Sequence, residues 1–397
     1  MIKLMEHRDY VKIHPGTAVT RSILDRLNSP DAALKIIHIA GTNGKGSTAE
    51  FFTQILIAAD KRVGTFTSPA VYDFYDQFRI DGKPLPAALA EKYFELALKA
   101  SDGLNATDFE IQTAGILLAF REEGCEYAVI ECGMGGLNDA TNAINKKELA
   151  VITSISLEHT AYLGNTVEEI CAQKTGIITN NCPAVGNPFQ TEEVKKYLKS
   201  CGVELANGIT YNGGKEFWFY DKRFELSCES SLQPYNAAAA IAGARILGIS
   251  EKAICEGIRN TKPSGRLEEF EVGGRRYIFD GAHNPAAFKP LRDKLLADNV
   301  DKTAIFGCLS DKDIDGNLKM LEGTAQRLIA VKCDNPRVAE LDVVEAASRR
   351  YFKNVDCANS VTDALNKAYT RMVIVCGSFT LLKEAKQWLE NLTDKKQ

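Results

Sequence analysis

The chain has 397 residues, with 48 Lys+Arg against 52 Asp+Glu, a net charge of −4, and a composition 45% apolar and 25% charged. At ~150 residues per domain this length holds two or three domains, each able to bury its own core, and the composition excludes a disordered, collagenous or coiled-coil chain. No apolar run approaches the ~18–20 residues of a membrane-spanning helix, the charged opening MIKLMEHRDYVKIHPG lacks a signal-peptide core, and the small negative charge gives no general attraction to nucleic acid. The expectation is a cytoplasmic protein with neither membrane nor nucleic-acid partner.

Eleven cysteines are scattered from Cys125 to Cys376 without a CxxC pair, and only five histidines accompany them. That pattern predicts small buried thiols in a reducing compartment rather than a metal cluster or a disulfide frame.

In chain order, short apolar runs end in Gly or polar residues and pass into helical stretches, the rhythm of a parallel α/β sheet. Strands are expected at Lys35–Ala40, Arg62–Thr67, Tyr127–Ile130 and Leu149–Ile155, and helices at Ser47–Asp60, Leu89–Ala100, Phe109–Glu123, Val167–Ile177 and Asn236–Leu247. Cys182–Ser231, with KEFWFYDKRFEL, reads as small antiparallel strands decorating this part. The segment TKPSGRLEEF, Thr261–Phe270, carries Pro263 and Gly265 and predicts the linker. A second strand series follows at Arg276–Phe279, Thr303–Phe306, Leu328–Val331 and Met372–Cys376. The expected fold class is α/β: a P-loop N-terminal domain with a mostly parallel sheet at 1–262, a linker at 263–268, and a smaller C-terminal Rossmann-like α/β domain at 269–397. A ligand pocket is expected between the two, at the carboxyl ends of their strands.

The most informative segment is KIIHIAGTNGKGSTAEFFTQIL, a strand, a glycine-rich turn and an amphipathic helix. Its glycines let backbone N–H groups approach phosphate oxygens, and Lys45 with the helix N-terminus adds positive potential. Gly41, Thr42, Asn43, Gly44, Lys45, Gly46, Ser47 and Thr48 are therefore the candidate triphosphate cradle. The segment departs from GxxxxGK[ST], with Ile39 at the first glycine position and Gly46 between Lys45 and Ser47. GKGSTA also satisfies GxGxxG/A, but a dinucleotide fold requires an acid about 20 residues on, and the next strand ends TFTSP with Ser68 and no acid.

Glu131 ends the strand YAVI beside this loop, where a carboxylate suits Mg²⁺, which takes oxygen ligands and keeps several waters. SISLEHTAYLG presents Glu158 and His159 at the same sheet edge, level with Ser68 and Glu131, so Ser68, Glu131 and His159 are the candidate metal set. Lys174, in VEEICAQKTGII, reads by itself as a solvated surface lysine. After the linker, Arg266 could neutralise phosphate charge and Asp280 could hold a ribose or a cation, with His283 and Asn284 close by in DGAHNP.

Taken together and in order, GTNGKGS (Gly41–Ser47), TSP (Thr67–Pro69), TDFEIQTAGILLAF (Thr107–Phe120), ECGMGGLNDATN (Glu131–Asn142), SLEHTAYLG (Ser156–Gly164), QKTGII (Gln173–Ile178), QPYNAAAA (Gln233–Ala240), GRLE (Gly265–Glu268), DGAHNP (Asp280–Pro285) and GSFTLLKEA (Gly377–Ala385) resemble the folylpolyglutamate synthase/dihydrofolate synthase family of Mur-type ATP-dependent amide ligases. The resemblance implies a monomeric enzyme that joins L-glutamate to a folate or to dihydropteroate through an acyl phosphate, using ATP and one or two Mg²⁺ ions. It implies that Lys45 and the loop hold the phosphates, that Ser68, Glu131 and His159 serve the metal, and that Asn236, Arg266 and Asp280 contact ATP. Lys174 matches the position the family carbamylates, and His283 falls in a motif near the reacting groups.

The family commonly reads TSPHL and then an Asn-Glu-Arg-like stretch, where this chain has TSPAVYDFYDQFRIDGKPL. Tyr72, Phe74, Tyr75 and Phe78 of that stretch could stack on a pterin or simply pack the loop. Two rivals stand beside the folate reading: a Mur-type ligase acting on a UDP-linked cell-wall precursor, against which TDFE, QKTGII and the GRLE/DGAHN pair speak, and a P-loop nucleotide switch without ligase activity.

Overall fold

The computed structural model describes residues 15–158, 160–179, 181–332 and 335–394. Contacts divide them into two units, one running to Pro69 and resuming over Tyr75–Lys262, the other taking Ala70–Phe74 with the chain from Pro263.

The first unit grows around β1 (Lys35–Ala40), buried at every position after Lys35. A strand that is apolar on both faces needs cover on both, the condition of a parallel sheet wrapped by helices. β2 (Val63–Phe66), β3 (Phe78–Ile80), β4 (Lys83–Pro84), β5 (Tyr127–Glu131), β6 (Leu149–Ile152), β7 (Ala184–Gly186) and β8 (Glu204–Leu205) complete an eight-stranded sheet ordered β4-β3-β2-β5-β1-β6-β7-β8. Pairing is parallel along β2-β5-β1-β6-β7-β8, and β3 and β4 form an antiparallel edge. The helix Lys45–Ala58 lays Phe51, Phe52 and Ile55 into a core with Val129 and Val151, where each buried side chain of this size contributes roughly 1.5–3 kcal/mol. The helix Asp108–Glu122 opens with a capping box in which Thr107 Oγ1 accepts the Glu110 N–H while Glu110 accepts the Thr107 N–H. TDFE is therefore also a helix-start signal.

Cys182–Ser231 differs from its sequence reading. Only β9 (Ile209–Thr210), β10 (Glu216–Phe219) and β11 (Lys222–Glu225) form an antiparallel sheet, ordered β11-β10-β9. The alternating burial of β10 sends Phe217 and Phe219 into the core and leaves Trp218 exposed, as expected of a sheet with one face covered. The remainder supplies the helix Glu192–Ser200 and the short parallel strands β7 and β8. Strands of three and two residues are too brief to print a period in the sequence.

In the second unit β12 (Glu268–Val272), β13 (Arg275–Asp280), β14 (Lys302–Phe306), β15 (Arg327–Val331), β16 (Val355–Ala358) and β17 (Met372–Cys376) follow the order β12-β13-β17-β14-β15-β16. β12 is antiparallel and the rest are parallel. Glu268–Phe270, expected in the linker segment, begins β12. The α/β class expected from the sequence is the class of both units. Among the described residues no helix is long and apolar enough to cross a membrane.

Candidate active site

β1 passes into the helix Lys45–Ala58 through the turn Gly41–Gly44. Gly44 is the N-cap residue at φ +92°, and no side chain caps this helix. A Cβ on Gly44 would lie 2.4 Å from Asn236 Oδ1, so glycine alone lets the turn close there. An uncapped helix start offers its first N–H groups, and the positive end of its dipole, to an anion. Lys45 Nζ folds over the turn, donating to the carbonyls of Gly41 and Thr42 at 3.1 Å each. Thr42 Oγ1 donates to Ser156 O, and Asn43 bridges Ser154, which ties the loop to the end of β6. Thr48 Oγ1 is buried with no hydrogen-bond partner among the described residues. This donor set fits the phosphates of a nucleotide.

Lys174 corrects its plain reading as a solvated surface lysine: it is 2% exposed, and its Nζ donates to Gly41 O at 2.7 Å. Two motifs in backbone contact bring it there. Leu137 N–H donates to Gln173 O at 2.6 Å, and a Cβ on Gly136 would lie 2.6 Å from that same oxygen and 2.9 Å from Lys174 O. Burial, assisted by the neighbouring Lys45 charge, pushes the Lys174 amine down to about 7.

Glu131, 3% exposed at the end of β5, accepts the Ser68 N–H on Oε2 at 3.3 Å and pairs in register with Ile39 of β1. Ser68 and Glu131 are thus brought together beside the loop. His159 lies outside the described residues. Among the described residues no three His, Cys, Asp or Glu side chains gather as a metal cluster. One carboxylate and one hydroxyl fit Mg²⁺, which fills its remaining positions with water and phosphate oxygens.

A buried network that the sequence reading overlooked supports the segment after Glu131. Thr141 Oγ1 donates to Asp139 Oδ1, so His38 Nε2 donates to Thr141 Oγ1 at 2.8 Å, with Cys132 Sγ 3.1 Å away. Asp139 Oδ2 accepts the Met134 N–H at 2.7 Å. Burial holds His38 well below its ordinary value and raises Cys132, so both are neutral. Nothing in the strand KIIHIA distinguishes His38 from a core filler.

Asn236 sits in a second overlooked arrangement. Its Oδ1 accepts from Asn187 Nδ2 at 2.8 Å and its Nδ2 donates to Gln233 Oε1 at 3.2 Å, while Gln233 Nε2 donates to Ser47 Oγ at 3.0 Å. Gln233, three residues before Asn236 in QPYN, was legible as a same-face partner; Asn187, in an irregular segment, carried no signal.

In the second unit the Arg266 guanidinium lies 5.1 Å over the Phe379 ring. Asp280 accepts the N–H groups of Leu267 on Oδ2 at 2.8 Å and Ala282 on Oδ1 at 2.7 Å. Burial raises its carboxyl to about 6 in spite of those bonds. The carboxylate also holds Leu267 at φ +50°, giving it a structural task in addition to the ribose or cation expected of it. His283 Nδ1 is 2.9 Å from Gly281 O, and Asn284 caps the helix Pro285–Ala297 by accepting the Ala287 N–H. Of the loop aromatics, Phe78 is buried against Phe66 and Phe94. Tyr75 OH donates to Glu91 and Tyr72 OH to Glu268. Phe78 therefore packs the core, while Tyr72, Phe74 and Tyr75 are only half-buried.

Residues 39–242 match the family model described as Mur ligase middle domain, and residues 265–379 match Mur ligase, glutamate ligase domain. The dihydrofolate synthase/folylpolyglutamate synthase of Escherichia coli K12 is 34% identical over 357 residues, covering 87% of this chain and 84% of that relative. The chain belongs to the dihydrofolate synthase/folylpolyglutamate synthase family. Two solved structures of dihydrofolate synthase/folylpolyglutamate synthase relatives are similar throughout. Escherichia coli FolC in complex with DHPP and ADP has a TM-score of 0.87 at 29% identity, covering 98% of this chain and 97% of that one. The bifunctional Yersinia pestis enzyme complexed with AMPPNP and Mn ion has a TM-score of 0.84 at 28% identity, covering 98% and 96%. As a member of the dihydrofolate synthase/folylpolyglutamate synthase family the chain is an ATP-dependent ligase. The nucleotide-switch rival falls, because a regulator needs no glutamate ligase domain.

Proposed function

We propose that the protein joins L-glutamate to a folate and to dihydropteroate through an acyl phosphate, using ATP and magnesium. The observation that carries this reading is the Lys174 amine buried against the phosphate loop at Gly41 with its pKa lowered to about 7. An amine of that kind has a substantial neutral fraction near physiological pH and can add CO₂ as a carbamate, and a phosphate switch has no use for one.

A carboxylate is a poor electrophile. The substrate carboxylate therefore attacks the γ-phosphorus, ADP leaves, and the glutamate amine displaces phosphate from the acyl phosphate to form the amide. Lys45 and the N–H groups at the start of the helix Lys45–Ala58 hold the triphosphate and stabilise the charge that develops on it. Ser68, Glu131 and His159 would hold magnesium, which would supply the remaining charge neutralisation between carboxylate and triphosphate. A carbamate on Lys174 would add a carboxylate at Gly41 of the phosphate loop. Asn236, Arg266 and Asp280 are the proposed nucleotide contacts, and His283 is proposed to act on the acceptor side. Thr42, Asn43, Gly46, Ser47 and Thr48 complete the cradle.

The proposed division is an ATP-binding domain to residue 262, a linker at 263–268 and a glutamate-ligase domain from 269, supported by the break in contacts after Lys262. The cytoplasm is the proposed location, supported by free thiols such as Cys125, Cys132 and Cys308. A single 43.6 kDa species by light scattering is expected of the proposed monomer. The functional test is phosphate release with ATP, Mg²⁺ and glutamate, offered dihydropteroate, tetrahydrofolate or a UDP-muramyl precursor. Release with the first two is expected, and release with the third alone overturns the reading.

A further inference from the structure

The first unit carries an aromatic pair, Phe189 exposed and Tyr235 half-buried, that the chemistry above does not use. Phe189 is 42% exposed, and its ring lies 5.0 Å from that of Tyr235, inclined at 40°. A single exposed ring is ordinary on a protein surface. This one stands on backbone that is pinned on both sides. The Phe189 N–H donates to Asn187 Oδ1 at 2.8 Å, and the next residue, Gln190, donates to Thr153 O and accepts from the Ile155 N–H, both at 2.9 Å.

The same bonds fix where the rings stand. From Ser47 of the phosphate-loop helix a continuous chain runs through Gln233, Asn236 and Asn187 to the backbone of Phe189. Tyr235 lies between Gln233 and Asn236 on the helix Gln233–Ile246. The pair therefore sits at the carboxyl edge of the sheet, past the end of β7, on the side of the loop toward β6. Ligands of open α/β sheets bind outside these carboxyl ends. Asn236 uses its carbonyl and one amide N–H in the chain and, of the two donors an asparagine carries, keeps one.

We infer that Phe189 and Tyr235 form the stacking face for the purine base of the nucleotide, and that the Ser47–Gln233–Asn236–Asn187 chain fixes the distance of that face from the phosphate cradle. Bases stack on aromatic rings through their π-faces, and a face whose backbone is already ordered loses little entropy on binding. The inference rests on the nucleotide reading above and adds the group that holds the base.

The test compares MgATP with magnesium inorganic tripolyphosphate, which has the phosphates and no base, by calorimetry on the full chain. Phe189→Ala should weaken ATP about tenfold or more while tripolyphosphate binds as it does to the unaltered protein. Phe189→Trp should recover most of the ATP affinity, which separates stacking from loop damage. Unchanged ATP affinity in Phe189→Ala, or an equal loss of ATP and tripolyphosphate, overturns the ring-pair assignment and leaves the phosphate cradle standing. Failure of the unaltered protein to bind either ligand overturns the nucleotide reading, and the ring-pair assignment with it.

Discussion

Lys174 Nζ donates a 2.7 Å hydrogen bond to the carbonyl oxygen of Gly41, across 133 residues of chain. A lysine in the last turn of the helix Val167–Thr175 is thereby fastened to the first residue of the phosphate loop. This buried amine, pushed down to about 7, is the one proposed above to carry a carbamate. Lys174→Ala is expected to lower glutamate-dependent phosphate release on the order of tenfold or more, with partial recovery on adding acetate, a carboxylate small enough for the space left. Full activity in the variant without acetate would remove Lys174 from the site.

Lys45→Ala removes the amine that folds over Gly41 and Thr42. Loss of one preorganised positive donor costs on the order of 10²–10³ in rate, so phosphate release should fall to that extent while thermal unfolding stays close to that of the parent. An active Lys45→Ala enzyme would show that the phosphates lie elsewhere.

Glu131→Gln keeps the shape of the side chain and removes its charge. The magnesium concentration giving half-maximal rate should rise by at least the ~10–100-fold seen when a mere supporting partner of a metal ligand is lost. A magnesium titration superimposable on that of the parent would count against Glu131 as a ligand.

Lys147 offers a test of pH dependence away from the phosphate loop. Its Nζ is buried against Asn142 Oδ1, Ile177 O and Thr179 Oγ1, and burial lowers its pKa to about 8 from 10.5. Between about pH 8 and 10.5 the unfolded chain holds a proton at this site that the folded protein has released, so this lysine makes stability rise with pH across that window and adds no slope below it. Urea midpoints of Lys147→Gln should therefore climb less steeply than those of the parent from pH 8 to 10. Parallel profiles would mean that Lys147 titrates normally in the fold.

Much of this protein was readable one residue after another, because the information is local. β1 and β17 occupy the residues expected of them, since a run of five or six apolar residues bounded by glycine identifies a strand buried on both faces. The phosphate loop was legible for the same reason: strand, glycines, lysine and helix are contiguous, and a helix start needs nothing distant to attract an anion. β7 and β8 were not legible, because two or three residues hold no period and their place in the sheet depends on β6 already being there.

Which side chains meet was a tertiary matter. The sequence by itself determined an α/β chain with a phosphate loop and a charged residue at several strand ends, since composition, periodicity and contiguous motifs are properties of the chain; the ligase activity was what its resemblance to a family implied. Only the fold decided that Lys174 is buried at Gly41 and not solvated, that Asp280 accepts the N–H groups of Leu267 and Ala282, and that Asn187 completes a chain from Ser47 to Phe189. Burial and hydrogen-bond partnership depend on what packs from elsewhere in the chain, and that is set when the parallel strands align their carboxyl ends along one edge.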